Sequence, residues 1–321
     1  MSDAAISNAL ARRSRPRGAF VAQIFEGVCF AAATALLATL GGLLISLFIG
    51  GWPAFRRFGL SFFTTSTWNP VIDVYGAAGP IIGTLVTATI ALLLSLPIAG
   101  GVAFFLTELC PARLRRPIGT AVELLAGIPS IVYGMWGLFV FAPLFAKYVQ
   151  MPLMMAATPG SLLEKLTTGV PNGSGIFSAS IILAIMILPF MAATLRELLQ
   201  TVPAAVRESA YGLGATTAEV VMTVTLPYVR AGAIGAVMLG LGRALGETMA
   251  VTFIIGNSHG MPSSLFDSGS TIASTIANEF TEATSPVHTA ALIALGFILF
   301  VITFAVLALA RLLLRNAEQR L

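Results

Sequence analysis

The sequence predicts an all-α, polytopic membrane protein with six transmembrane helices. Of its 321 residues, 57% are hydrophobic and only 10% are charged, whereas a soluble domain carries about 25% charged residues. Long apolar stretches exceed the ~20 residues that a helix needs to cross the hydrocarbon core of a bilayer. These stretches are continuous and do not alternate with polar residues, which indicates helices and not the strands of a membrane barrel.

The predicted spans cover residues 28–50, 80–106, 122–146, 177–197, 230–256 and 287–314. The first is preceded by a basic segment, as in a secretory signal, but its apolar stretch is too long for one, so we expect it to remain in place. The predicted organisation is therefore an N-terminal tail at 1–27, a six-helix domain at 28–314 and a C-terminal tail at 315–321.

The positions of Lys and Arg predict the orientation, because cytoplasmic loops carry an excess of these residues. With six spans, both termini face the same side, and that side would hold most of the basic residues: Arg12, Arg13, Arg15, Arg17, Arg113, Arg115, Arg116, Arg196, Arg207, Arg230, Arg311, Arg315 and Arg320. The opposite side would hold only Arg56, Arg57, Lys147 and Lys165. Both termini are therefore expected in the cytoplasm. This bias accounts for the pI near 9.4, so the charge does not indicate nucleic-acid binding.

Several predicted spans contain helix-breaking residues. Pro97 and Pro189 are expected to cause kinks that neighbouring groups accommodate. The segment 126–134 is denser in Gly and Pro, and it fits either a kink or the lining of a pathway. The fifth span is rich in glycine, including the GxxxG pair Gly242 and Gly246, and small residues let helices approach closely in lipid. We therefore expect the fifth span to be central in the bundle.

Between the fourth and fifth spans, the segment 203–227 predicts a helix, a glycine bend and a second helix on the cytoplasmic surface. We call this segment the elbow. Pro203 suits the first turn of a helix, and Gly214 suits a position just after a helix end. Thr216 and Glu219 have the spacing of a capping box, and Pro227 is expected to close the second helix. Apolar residues in such a surface segment indicate an interaction site.

The elbow reads Glu208-Ser209-Ala210, then Gly214, then Val224-Thr225-Leu226-Pro227, which resembles the EAA motif of ATP-binding-cassette importer permeases. Ser209 and Val224 depart slightly from the usual Ala and Ile. The resemblance implies a type I, MetI-like importer permease fold. It also implies that the elbow docks on a separate ATPase subunit through these residues: Glu208, Ser209, Ala210, Gly214, Val224, Leu226 and Pro227.

Two further segments are similar to phosphate permeases, namely 240–250 (GLGRALGETMA) and 123–134 (ELLAGIPSIVYG). The similarity covers most of the chain and is closest to the PstC-type subunits. It implies a PstA-type permease partner, two ATPase copies, a phosphate-binding protein at the outer face and a location in the bacterial cytoplasmic (inner) membrane. Selectivity for phosphate over another oxyanion is implied by this resemblance alone.

Arg243 and Glu247 are the charged residues inside the apolar segment 231–255 of the predicted fifth span, where their spacing would place them on one helix face. Each would cost roughly 2.5–3.5 kcal/mol at the bilayer centre, so a charged residue there is a functional hypothesis. One interpretation is an ion pair that only fixes helix packing. The other is a phosphate pathway, in which Arg243 offers its guanidinium fork to a passing anion and Glu247 holds it in position. The family resemblance also implies a role for this pair in translocation.

The sequence also contains features of three other functions: a serine hydrolase, a zinc protein and a gradient-driven transporter. Gly256-Asn257-Ser258-His259-Gly260 fits the G-x-S-x-G pattern of serine hydrolases, but that pattern requires a strand-to-helix turn, and here it follows a predicted membrane helix. His259 and His288 lack HExxH spacing, so no zinc site is predicted. A gradient-driven anion transporter using Glu247 remains an alternative, although it would not need a docking elbow.

The chain is expected to be non-catalytic. Neither of its lysines, Lys147 and Lys165, follows a glycine, so the sequence contains no P-loop for ATP. Energy would therefore come from a partner subunit or from an ion gradient. The two cysteines, Cys29 and Cys110, form no CxxC pair, so they imply neither a disulfide framework nor a metal site. No cofactor is predicted.

Overall fold

The computed structural model describes residues 18–318, most of which are helical. The chain divides into two units, 1–49 and 50–321. The first unit is described only from Gly18 onward, where it forms the N-terminal part of a long helix, Gly18–Phe58. That helix begins ten residues before the predicted start of the first span at 28. Arg12, Arg13, Arg15, Arg17 and Arg320 lie outside the described residues.

Six helical segments within the described residues are long and apolar enough to cross a membrane, which confirms the predicted number. We call them the first to sixth spans: Val21–Phe58, Ala78–Leu109, Ser130–Ala156, Ile176–Gln200, Thr217–Leu245 and Pro286–Leu312. The last helix runs on to Glu318, so the predicted C-terminal tail at 315–321 begins inside it. Shorter helices are Ser61–Thr64, Ala112–Ala126, Leu162–Thr167, Ala204–Gly212, Met249–Thr252 and Ile272–Glu279.

The third span lies further along the chain than the predicted 122–146. Helix Ala112–Ala126 ends at Gly127, and a new helix begins at Ser130. Pro129 explains the break, because proline cannot donate a helical hydrogen bond and biases the residue before it toward extended backbone. The predicted single helix is therefore two helices, and only the second belongs to the third span.

The third and fifth spans contain π-helical turns at Gly137–Phe141, Ala146–Gln150 and Val221–Thr225. Each of these turns ends two residues before a proline: Pro143, Pro152 and Pro227. Proline lacks an N–H, and its ring clashes with the carbonyl four residues earlier. A wider turn just before the proline relieves that clash, so the helices continue through these positions. Helices Ala78–Phe104 and Ile176–Gln200 likewise continue through Pro97 and Pro189.

The fourth span, not the fifth, is the most buried of the six. It packs against the second and fifth spans and against helix Ala112–Ala126. The fifth span contacts it through glycine, since a Cβ at Gly232 or Gly240 would meet Leu198 or Met191 of the fourth span. In contrast, Gly235 faces open space. The prediction of a central fifth span was therefore wrong, because the fourth span is much more buried, although Gly242 of the fifth span also approaches Leu307 of the sixth.

Two hydrophobic clusters form the core of the second unit. One joins the second, fourth and fifth spans. The other joins the sixth span to residues 54–77, which include a small hairpin. In that hairpin, strand β1 (Trp68–Asn69) pairs antiparallel with strand β2 (Val74–Tyr75), and Trp68 lies opposite Tyr75.

Candidate functional site

The elbow has the predicted helix, bend and helix. Helix Ala204–Gly212 follows Pro203, and Gly214 adopts a φ of +89°, in the left-handed region that favours glycine. Thr216 and Glu219 form both bonds of a capping box at the start of the second helix. The predicted end at Pro227 was wrong, because the chain stays helical from Thr217 to Leu245. The second half of the elbow is thus the beginning of the fifth span.

The predicted docking residues lie mostly on the elbow surface. Glu208, Ser209, Gly214, Leu226 and Pro227 are exposed, while Ala210 and Val224 are half-buried. Two larger apolar side chains beside them are also open, with 91% of Leu213 and 68% of Met222 exposed. Exposed apolar side chains in such a group are typical of a binding surface for another protein.

Arg207, next to the exposed Glu208, points to the interior. Its Nη1 lies 2.8 Å from Glu108 Oε1 at the end of the second span. Its Nη2 donates to the carbonyl oxygens of Leu199 (3.0 Å) and Val202 (3.1 Å), at the end of the fourth span. This guanidinium therefore joins the elbow to two membrane helices. Sequence reasoning used Arg207 only for orientation and missed this role.

A second ion pair lies on the same side of the second unit. Arg196, near the end of the fourth span, contacts Glu123 of helix Ala112–Ala126 at 2.6 Å. The Arg196 side chain crosses that helix at Gly119, where a Cβ would overlap the guanidinium. The guanidinium thus lies directly against the backbone of this helix, and the pair connects the helix to the fourth span.

Arg243 and Glu247 do not share one helix face. The helix ends at Leu245, and Glu247 follows in a break that separates Arg243 from helix Met249–Thr252. No ion pair joins the two side chains among the described residues. Glu247 Oε1 instead accepts a bond from the Ala250 amide at 3.3 Å. The predicted single span 230–256 was therefore wrong, because one helix ends at Leu245 and another begins at Met249.

Arg243 is exposed and lies over the ring of Phe190, with Cζ 5.8 Å from the ring centroid. Helix Met249–Thr252 packs against the start of the third span. A Cβ at Gly134 would meet Ala250 and Phe253 at 3.0 Å or less. The break before the third span and the break after Leu245 are therefore close to each other. The segments 123–134 and 240–250, which resemble phosphate permeases, meet at this point.

In the loops after the first and fifth spans and at the start of the sixth span, three side chains that are distant in sequence contact one carboxylate, that of Glu279. Glu279 Oε2 accepts a bond from Trp68 Nε1 (2.6 Å) and lies 2.8 Å from His288 Nε2, while Oε1 lies 2.7 Å from His259 Nε2. We call these four residues the Glu279 cluster. Burial acts to raise the pKa of Glu279, but the hydrogen bonds from His259, Trp68 and His288 outweigh it and hold the pKa below its ordinary value.

The Glu279 cluster has an aromatic frame. The rings of Trp68 and His259 stack with centroids 5.7 Å apart, and those of Tyr75 and His288 stack at 5.0 Å. Burial and the neighbouring Asp73 raise the pKa of Tyr75 to about 12. Sequence reasoning considered the two histidines only as metal ligands or as partners of a hydrolase serine, and it missed their common carboxylate. Among the described residues, no group of His, Cys, Asp or Glu is arranged to hold a metal.

The G-x-S-x-G match has no hydrolase geometry. The segment follows helix Met249–Thr252, and the imidazole of His259 is bonded to Glu279 and not to a serine hydroxyl. Its Nδ1 has no hydrogen-bond partner among the described residues. Among the residues that the structure describes, His259 therefore does not act as the adjacent base that a serine nucleophile at Ser258 would need.

Comparisons with known proteins agree with this architecture. The family model for binding-protein-dependent transport system inner membrane components matches residues 99–319. The phosphate transport system permease protein PstC of Mesorhizobium japonicum is 54% identical over 95% of this chain and 93% of its own. The protein of the same name from Pasteurella multocida is 53% identical over 88% of each chain.

A solved structure resembles the fold. It is the crystal structure of a bacterial ABC transporter involved in the import of the acidic polysaccharide alginate, with a TM-score of 0.54 and 17% identity. The similarity covers 92% of this chain and 99% of that chain. At this level of identity, the match supports the MetI-like permease fold and not the cargo.

Proposed function

Because the chain belongs to the family of binding-protein-dependent inner-membrane transport components, we propose that it is a permease subunit of an ATP-driven importer of inorganic phosphate. It forms half of the translocation pathway and is driven by a separate ATPase. The observation that carries the substrate is the identity above 50%, across nearly the whole chain, to proteins named as phosphate permeases. The observation that supports ATP hydrolysis by a partner as the energy source is the exposed elbow.

The elbow would be the docking surface for the ATPase. Its exposed Glu208, Leu213 and Met222 supply a mixed acidic and apolar patch. A gradient-driven carrier would have no use for such a patch. The elbow, and with it both chain termini, would face the cytoplasm, in agreement with the basic residues on that side. A homologous PstA-type permease, two ATPase copies and a phosphate-binding protein would complete the assembly.

Arg243 would belong to the phosphate pathway. Its guanidinium is exposed, and no carboxylate neutralises it among the described residues. A planar guanidinium matches phosphate oxygens through two parallel hydrogen bonds. Contact with one ring face leaves its N–H groups available for an anion. Glu247 would act indirectly, by fixing the backbone break after Arg243 through its bond to the Ala250 amide.

Co-purification and uptake together test the proposal. An affinity-tagged chain should bring down an ATPase, identified by mass spectrometry. Proteoliposomes with the purified complex should take up radiolabelled phosphate when ATP is inside and the binding protein outside. Uptake should survive collapse of the proton gradient and stop without ATP. Absence of an ATPase, or uptake that follows the gradient, would reject the proposal, and preference for sulfate in competition would reject phosphate as the cargo.

A further inference from the structure

We propose that Arg207 is a positioning residue that transmits displacement of the elbow to the second and fourth spans. This inference rests on the proposed function, because it assumes that an ATPase moves the elbow. Successive residues of a helix point about 100° apart. Glu208 therefore faces the solvent, while Arg207 faces the membrane helices. Force applied to the exposed docking surface reaches the interior one residue away.

The geometry of the guanidinium makes this link firm. Arg207 bonds one carboxylate and two carbonyl oxygens, and these three acceptors belong to two spans and the turn after the fourth. The carbonyls at a helix C-terminus lack partners within the helix and carry partial negative charge, so they favour a cation. Charge-assisted bonds are roughly twice as strong as neutral ones. Only 20% of the Arg207 side chain and 8% of Glu108 is exposed, so little water competes.

Glu108 lies where the second span can change shape. It belongs to the π-helical segment Phe105–Leu109, which ends that span. Such segments are rare and frequently occur at functional sites. The hydroxyl of Thr107 bonds the carbonyls of Ala103 and Phe104, which reinforces the last turn before Cys110. A displacement of Glu108 would therefore act first on the π-helical segment and then on helix Ala78–Phe104, which precedes it.

The Arg196–Glu123 pair provides a matched comparison. It is also an ion pair between two helices on the elbow side of the second unit. However, it joins the fourth span to helix Ala112–Ala126 and includes no elbow residue. Loss of this pair should loosen packing without affecting transmission from the elbow. The two pairs thus separate a positioning role from a merely structural one.

The test measures phosphate imported per ATP hydrolysed by the reconstituted complex. Arg207→Gln and Glu108→Gln should each assemble and hydrolyse ATP, yet lower this ratio by about tenfold, within the range of typical couplings between sites. Arg207→Lys keeps the charge but not the three-acceptor fork, so its ratio should be intermediate. Glu123→Gln is the control and should keep the wild-type ratio.

Each outcome decides the inference. A wild-type ratio in Arg207→Gln and Glu108→Gln would overturn it. So would failure of both variants to bind the ATPase, because the pair would then build the docking surface and not transmit its motion. An equal loss in Glu123→Gln would show general loosening and would also overturn it. If the wild-type complex itself imports no phosphate, the proposed function fails instead, and the two failures are thus distinguishable.

Discussion

At the scale of single residues, Arg243 and Glu279 differ in the hydrogen-bonding partners that surround their charges. Glu279 is surrounded by three hydrogen-bonding side chains. Arg243 has a ring face beside it and no carboxylate among the described residues. A cation–π contact contributes about 0.5–2 kcal/mol, less than the roughly 2.5–3.5 kcal/mol that an arginine costs inside a bilayer. This difference is the reason that we propose a role in transport for Arg243 and not a role in packing.

Arg243→Leu should leave the complex assembled and abolish phosphate uptake, because leucine provides no donor for the anion. Arg243→Lys keeps the charge without the fork and should retain only a small part of the uptake. Co-purification of the ATPase and uptake of labelled phosphate measure the two effects. Normal uptake by the leucine variant would exclude Arg243 from the pathway.

At the scale of elements, the second span is fixed to a loop at its N-terminal half and to the elbow at its other end. A Cβ at Gly83 would overlap the carbonyl oxygen of Ser270. The neighbouring Thr84 hydroxyl accepts a bond from the Ile272 amide at 2.9 Å. The helix and the loop thus approach to backbone contact. Any side chain at Gly83 must displace main-chain atoms, which cannot rotate away.

Gly83→Ala should therefore destabilise the protein by about 1–3 kcal/mol, the usual cost of overpacking. Gly100 belongs to the same helix but faces open space. Gly100→Ala is the matched control and should be neutral or stabilising by up to about 1 kcal/mol, because alanine favours helix. Thermal unfolding of the isolated chain in detergent compares the two variants. Equal melting temperatures would contradict the close approach.

The elbow provides a second prediction at this scale. Glu208→Lys reverses a charge on the exposed docking surface while leaving Arg207 and its bonds in place. We expect the chain to fold normally and to lose ATPase in co-purification, since a like charge across an interface costs several kcal/mol. Glu197→Lys, an exposed change at the end of the fourth span, is the control. Unchanged recovery of the ATPase with Glu208→Lys would count against docking at the elbow.

At the scale of the whole molecule, the Glu279 cluster connects segments far apart in the chain. Trp68 belongs to the hairpin after the first span, His259 to the loop after the fifth, and His288 to the start of the sixth. Glu279 itself ends helix Ile272–Glu279. One ionised carboxylate therefore holds together the loops on this side of the second unit.

The lowered pKa of Glu279 sets the sign of a pH effect. A carboxyl group with a lowered folded pKa stabilises the protein above its ordinary pKa of 4.5 and loses that contribution as the pH falls further. Glu279→Gln should therefore cost about 1–3 kcal/mol at neutral pH. Thermal unfolding across pH measures the difference between variant and wild type, which should shrink below pH 4.5. A difference that is independent of pH would contradict an ionised Glu279.

Local chemistry accounts for what could be predicted. Gly214 and the Thr216–Glu219 capping box act through neighbouring backbone, so the sequence was sufficient to predict the bend of the elbow and the start of its second helix. The break after Leu245 was missed because a continuous apolar pattern concealed the end of one helix and the start of the next at Met249. Arg207–Glu108 and the Glu279 cluster join residues far apart in sequence, and only the folded chain brings them together.

The wide turns before Pro143 and Pro152 have a consequence for chain length. A π turn holds one residue more than an α turn. Deleting a single amino acid from 137–141 should convert that turn into an α turn and leave the side chains on either side of it in the same orientation. Homologues one residue shorter here would thus present the same stripe of side chains to the neighbouring helices, whereas a deletion within a regular α-helical part would rotate one side by about 100°.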